Sequence, residues 1–172
     1  MQARGQAPSH QEAIMQIFGR VLAFISAAVM LSAAAASAQD WRRNPSFGSV
    51  SLNAGFAPDP RTRNVRAGGD IQVNVNNGRC QGWFANAPDY RVNYRAGGYQ
   101  LTFYVRASGD TMLLINDPNG NWYCNDDYQG LDPAIVFSSP RSGQYDVWVG
   151  TYNRSRVSNA TLYITEMGAF SR

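Results

Sequence analysis

The sequence predicts an all-β fold, a single antiparallel β-sandwich of jelly-roll type, and three observations carry that expectation. After Trp41 apolar residues recur at every second position, the runs are short, and Gly, Pro, Asn and Asp separate them. Successive side chains of a strand point to opposite faces, so this alternation describes sheets with one face buried. No segment after Ala38 has sustained helical periodicity with caps.

In chain order, Val50 and Leu52 begin the set. Ile71, Val73 and Val75 alternate with Gln72, Asn74 and Asn76, and Leu101, Phe103 and Val105 with Thr102, Tyr104 and Arg106. Met112 to Ile115 is continuously apolar, as a central strand buried on both faces would be. Ile135 to Phe137 supplies a short strand, Tyr145, Val147 and Val149 alternate with Asp146 and Trp148, and Leu162 and Ile164 with Thr161, Tyr163 and Thr165. With turns such as Asp117-Pro-Asn-Gly and Ser142-Gly, about eight strands are expected. Ala57-Pro-Asp-Pro-Arg leading to Arg66-Ala-Gly-Gly is echoed by Ala87-Pro-Asp-Tyr-Arg leading to Arg95-Ala-Gly-Gly. Two copies do not make a solenoid, and Ala-Gly-Gly reads as a turn between strands.

The fold begins after an address. Val21 to Ala36 is an Ala-rich apolar run preceded by Arg20 and followed by Ala36-Ser37-Ala38, the small-x-small pattern of a signal-peptidase site. It is short for a membrane span of ~20 apolar residues, so residues 1–38 are expected to be a signal peptide cleaved after Ala38. Met15 to Ala38 alone makes a compact signal, which makes Met15 an alternative start. The mature chain would be Gln39 to Arg172, 134 residues, the size of one domain, residing in the periplasm or outside the cell.

Composition excludes much chemistry. All 15 basic residues are arginine, and the single histidine is His10, so the mature chain holds neither His nor Lys. A Ser-His-Asp triad lacks its imidazole and a Ser-Lys dyad its amine; His-based zinc sites, dinucleotide fingerprints and a Walker loop are missing too. Ten aspartates keep carboxylate-pair hydrolysis open, although Asp126 and Asp127 are adjacent and would diverge on a strand. Gln39 to Arg106 carries nine Arg and four Asp, Ala107 to Arg172 four Arg and seven acids. A GC-rich genome produces such Arg usage; a basic surface for polyanions beside an acidic one is the functional alternative. Cys80 and Cys124 are the only cysteines, and an even pair in an exported chain without His is expected to form a disulfide.

From Val92 to Tyr152 the chain runs through a strand, Ala96-Gly-Gly, Leu101 to Val105, Gly109-Asp-Thr, an apolar strand, Asp117-Pro-Asn-Gly, Cys-Asn-Asp-Asp, Gly130 to Pro133, Pro140-x-Ser-Gly-x-Tyr and Val147-Trp-Val-Gly-Thr-Tyr. This resembles the bacterial pre-peptidase C-terminal domain, a small β-sandwich appended to secreted peptidases. It is still more similar to small stand-alone exported proteobacterial proteins, some of them labelled serine peptidases. The resemblance implies a jelly-roll-like fold and a role in binding or secretion, and it supplies no catalytic residues.

Two candidate sites follow from the residues. Asp117, Asn119 and Asn121, then Asn125, Asp126 and Asp127, offer hard oxygen ligands for calcium around one turn. Trp122 stands where an EF-hand loop needs Gly and Tyr128 where it needs Glu, so the alternative is an ordinary hairpin turn with a solvated acidic loop. Tyr104, Trp148 and Tyr163 have parity opposite to the core residues of their strands, which would let them share an outer aromatic face for a glycan or a protein. The expected function is that of an exported, non-catalytic β-sandwich binding or accessory module for a protein, peptide or cell-envelope polymer. Neither a nucleic-acid partner nor a membrane span after cleavage is expected. The alternatives are a secreted hydrolase using Asp carboxylates and a calcium-stabilised structural module.

Overall fold

The computed structural model describes residues 39–75 and 80–171. The predicted signal peptide, its cleavage after Ala38 and the alternative start at Met15 lie outside the described residues. Within them the fold is all-β: β1 (Ser49–Asn53), β2 (Arg61–Ala67), β3 (Ile71–Val75), β4 (Cys80–Phe84), β5 (Tyr90–Arg95), β6 (Leu101–Arg106), β7 (Thr111–Asn116), β8 (Trp122–Asn125), β9 (Ala134–Phe137), β10 (Gly143–Thr151) and β11 (Val157–Thr165). They form two sheets that do not close into a barrel, one of seven strands and one of four ordered β2-β11-β6-β9.

β10 organises the larger sheet. One of its edges pairs with β5 from Gly143 to Val147 and meets β4 at Thr151, and its other edge pairs with β7 from Asp146 to Thr151. β8 extends the sheet beyond β7, β3 beyond β4 and β1 beyond β5. The expected antiparallel sandwich needs one correction, because β1 lies parallel to β5. A parallel neighbour requires a long crossover, and the three strands β2 to β4 supply it.

The alternation seen in the sequence sets the inner faces. Val92 and Tyr94 of β5, Tyr145, Val147 and Val149 of β10, and Leu113 and Ile115 of β7 meet Phe103, Leu162 and Ile164 of the smaller sheet in one buried cluster. Burying each such side chain stabilises the fold by about 1.5–3 kcal/mol. A second cluster lies on the outer face of the seven-stranded sheet, where Val73, Cys80 and Phe84 of the β3–β4 hairpin cover Met112, Leu114 and Trp148. β7 is therefore buried along its whole length, as its continuous apolar run requires.

The Cys80–Cys124 disulfide, with Cα atoms 6.0 Å apart, joins this hairpin to β8. Two glycines admit the hairpin closely: a Cβ on Gly82 would fall 2.1 Å from Met112 Sδ, and one on Gly150 2.4 Å from the Phe84 ring.

Between Val147 and Thr151 the edge of β10 passes from β5 to β4, and Asp89 closes the gap. Its Oδ2 accepts a 2.7 Å bond from the Val149 N–H, while the Val149 carbonyl accepts one from the Gly68 N–H at 2.9 Å. Asp89 is 2% exposed, and burial pushes its carboxyl up to about 7 against the pull of the Val149 bond.

Candidate functional site

The outer face of the seven-stranded sheet is divided. Its half under the β3–β4 hairpin is apolar, while the other half carries the outward residues of β5, β10 and β7 and is polar. Register sets Asp146 of β10 opposite Arg91 on one side and opposite Asn116 on the other, and Asn116 opposite Trp122 of β8. Asn116 and Asp146 are 5% and 1% exposed. Arg91 Nε donates to Asp146 Oδ1 at 2.6 Å, and Gln144 Nε2 donates to Asp146 Oδ2 at 2.6 Å. Burial raises the Asp146 carboxyl, and the bonds from Gln144 and Arg91 pull it back down.

Arg91 also fastens the N-terminal segment across this face, because its Nη2 donates to the carbonyls of Trp41 and Arg43. Bonds from the Asp40 N–H to the Asn86 carbonyl and from the Ser46 N–H to the Pro88 carbonyl run beside it. Trp41 thereby becomes one wall of a cleft of about 420 Å³. The β7–β8 turn makes the opposite wall with Pro118 and Trp122, and Gln144 and Asp146 lie below. Trp41 is 40% exposed, with the Arg42 guanidinium 4.7 Å from its ring centroid. Trp122 packs on Trp148 with ring centroids 5.2 Å apart, which holds the Trp122 ring against a rigid support. A second groove, of about 270 Å³, runs on from Gly143 and Gln144 past Asn93 and Arg95 to Ser51 and Asn53.

The structure rearranges both sites expected from the sequence. Asp117 belongs to the hairpin turn itself: its Oδ1 accepts from the N–H groups of Asn119 and Asn121, each at 2.8 Å, and its Oδ2 from Asn121 Nδ2 at 3.3 Å. Gly120 completes the turn with a φ of +81°. Asp126 and Asp127 follow the far end of β8, roughly 15 Å away along a strand rising ~3.3 Å per residue. There, burial and the neighbouring Asp127 and Asp110 raise the Asp126 carboxyl. The single calcium cage of Asp117, Asn119, Asn121, Asp126 and Asp127 is thus divided between opposite ends of a strand. Among the described residues, no three His, Cys, Asp or Glu side chains are grouped to hold a metal.

The shared aromatic face is likewise divided. Tyr104 and Tyr163 stack on the outer face of the four-stranded sheet, with centroids 4.6 Å apart and planes 8° from parallel. Phe170 covers Tyr104, leaving it 2% exposed. Trp148 belongs to the other sheet and is fully buried under the β3–β4 hairpin, with its indole N–H donating to the Asn86 carbonyl. The cleft residues Trp41, Asn116 and Gln144, and the Arg91 that ties Trp41 to Asp146, had no place in the sequence-based sites. The available signal was polar parity: Asp146 stands outward between Tyr145 and Val147, and Asn116 ends an apolar run.

No family model and no curated protein matches the sequence. Among solved structures, the chain is similar to the periplasmic lysozyme inhibitor of g-type lysozyme from Aeromonas hydrophila, at 15% identity and a TM-score of 0.33, over 69% of this chain and 96% of that one.

Proposed function

We propose that the mature chain is an exported, non-catalytic β-sandwich module that binds a protein, peptide or cell-envelope polymer, and that its binding surface is the open half of the outer face of the seven-stranded sheet. The observation that carries this reading is the cleft floor. Asn116 and Asp146 are buried polar residues on a sheet face, held by register and by Arg91 and Gln144, beneath an exposed indole. Burying such groups costs stability unless each is hydrogen-bonded, and a floor assembled from three strands and the N-terminal segment is rigid enough to recognise a ligand. Export is supported by the disulfide, which persists in oxidising compartments. The resemblance to pre-peptidase C-terminal domains is part of the same proposal, since an accessory module of that kind works by binding.

Neither Asp89 nor the cleft carboxylates favour hydrolysis. The carboxyl nearest neutrality, Asp89, is buried and bonded to Val149 N–H, out of a substrate's reach. In the cleft, Asp146 is engaged by Arg91 and Gln144 and Asp117 by its own turn.

The test is retention of periplasmic and secreted components on immobilised mature protein, comparing wild type with Asn93→Trp, which fills the groove from an exposed position. Specific retention weakened in the variant is expected. Retention identical in both would move the binding surface elsewhere, and turnover of casein or polysaccharide abolished by Asp146→Asn would replace binding with catalysis.

A further inference from the structure

We infer that the cleft between Trp41 and Trp122 is a subsite for a neutral saccharide and that the adjoining groove carries the continuation of the same glycan chain. This inference rests on the reading of the outer sheet face as a binding surface and names what that surface takes.

The walls and floor divide the recognition between them. A sugar ring offers a face of C–H bonds and a rim of hydroxyls. Indoles suit the first, being broad, apolar and costly to leave in water without a partner. Trp41 supplies an exposed one, and Trp122 one fixed by its contact with Trp148. Planar amides suit the second, because each places a donor and an acceptor side by side. Asn116, Gln144 and Asp146 lie together, set by strand register. Among the described residues, Asn116 makes one long side-chain bond, 3.4 Å from Nδ2 to the Asn121 carbonyl, which leaves its amide oxygen for a ligand hydroxyl. The cleft volume of about 420 Å³ falls within the ~300–1,000 Å³ of small-ligand sites.

Charge points to a neutral ligand. Among the described residues no arginine or lysine lines the cleft, the Arg42 guanidinium lies against the Trp41 ring 4.7 Å from its centroid, and the two carboxylates of the lining are already engaged, Asp146 by the Arg91 guanidinium and Asp117 by two backbone N–H groups. A cation therefore finds both carboxylates of the lining taken.

The sheet face also disfavours a peptide. A peptide that adds as a strand needs an open sheet edge. Here β10 pairs with both β5 and β7 at Asp146 and Val147, which closes the floor at those residues to strand addition, and the open edge of the sheet on that side belongs to β1, at the far end of the groove. The groove beyond presents the exposed Asn93 and Arg95 of β5 beside Ser51 and Asn53 of β1, with the buried Leu52 and Tyr94 also in its lining. It shares Gly143 and Gln144 with the cleft, giving one continuous track along which a linear glycan extends.

The experiment titrates full-length mature protein with neutral oligosaccharides of two to six units, from β-1,4-glucose, α-1,4-glucose, β-1,4-xylose and β-1,4-N-acetylglucosamine series, by tryptophan fluorescence and calorimetry. At least one series is expected to saturate, with longer members binding more tightly. Trp41→Ala and Gln144→Ala should each weaken it about tenfold or more, which corresponds to about 1.4 kcal/mol or more. Trp83→Ala, whose ring lies under Arg154 outside the cleft, should leave it unchanged, and Asn93→Trp should remove only the advantage of the longer members. Both cleft variants alter side chains outside the core, and retained melting temperature checks that they fold. Absence of saturable binding in every series, or binding indifferent to Trp41→Ala, overturns the saccharide assignment. If saccharides fail while Asn93→Trp still weakens retention of an envelope protein or peptide, the binding surface stands and its ligand class is wrong; if both fail, both readings fall.

Discussion

Replacing Asp89 by Asn should make the protein more stable at neutral pH, although it removes a bonded carboxylate. The folded chain holds the Asp89 proton up to about 7, whereas an unfolded chain releases it near 3.8. Between those values the folded state binds the extra proton, so the stabilisation present below the unfolded pKa is lost as pH rises through the folded one, at about 1.4 kcal/mol per pH unit. Over the window of about three units the loss is about 4 kcal/mol, a large part of the ~5–15 kcal/mol that holds a domain folded. Asparagine keeps an oxygen for the Val149 N–H and cannot ionise. Wild type and Asp89→Asn should therefore be within about 1 kcal/mol of each other at pH 4, with the variant ahead by about 4 kcal/mol at pH 8. Urea unfolding followed by tryptophan fluorescence from pH 4 to 8 gives both curves. Burial also raises Asp110, Asp126 and Asp146, so the wild-type slope alone does not isolate Asp89, but the difference between the curves does. Parallel curves, or a variant less stable by a constant amount, would mean that Asp89 is ionised in the fold and that its charged bond to Val149 outweighs the cost of burial.

Three further outcomes follow from the packing. Labelling under denaturing, non-reducing conditions should find no free thiol, and replacing both Cys80 and Cys124 by Ala should cost about 4 kcal/mol, the loop-entropy value for the 45-residue loop, read as a lowered urea midpoint. Gly150→Ala should cost about 1–3 kcal/mol because its Cβ enters the Phe84 ring, whereas Gly98→Ala, with nothing within 4 Å, should stay within about 0.5 kcal/mol; thermal melting of both separates contact from mere loss of a glycine. Melting temperature should be the same in millimolar calcium, in equal magnesium and in chelator, since the expected ligand set is divided along β8; a calcium-selective rise lost in Asp126→Asn with Asp127→Asn would place a site at that end of the strand.

How much of the fold could be read in advance depends on how each strand is buried. The sequences of β3, β6, β10 and β11 alternate although β6 and β10 are buried on both faces for most of their length, whereas β7, covered on both faces too, is apolar from Met112 to Ile115. β2 was not legible: Arg61, Arg63, Asn64 and Arg66 leave it without an apolar alternation, and the strand exists because β11 pairs with it while Val65 and Ala67 alone are buried. β4 was obscured by Gly82, which reads as a breaker and is instead the point where Met112 enters. The two Ala-Gly-Gly echoes are connectors, as expected, but they end strands in different sheets, β2 in one and β5 in the other.

The site was harder to read than the fold for a geometric reason. Parity identifies an outward side chain, and a two-sheet sandwich has two outward faces pointing away from each other. Tyr104 and Trp148 were both placed outward correctly, and the same rule sends them to opposite sides of the molecule because β6 and β10 belong to different sheets. What gathers a cleft is the next level of information, the register that sets Asp146 between Arg91 and Asn116 across separations of 55 and 30 residues. Neither neighbour is visible to a local pattern, and the third contributor, Trp41, is placed by Arg91, already tied to Asp146, together with the backbone bonds of Asp40 to Asn86 and Ser46 to Pro88. The buried ion pair is thus an element on which the cleft depends: without the Arg91 guanidinium, Asp146 would lose its charged partner and Trp41 one of its anchors, and the wall and the floor would be weakened together.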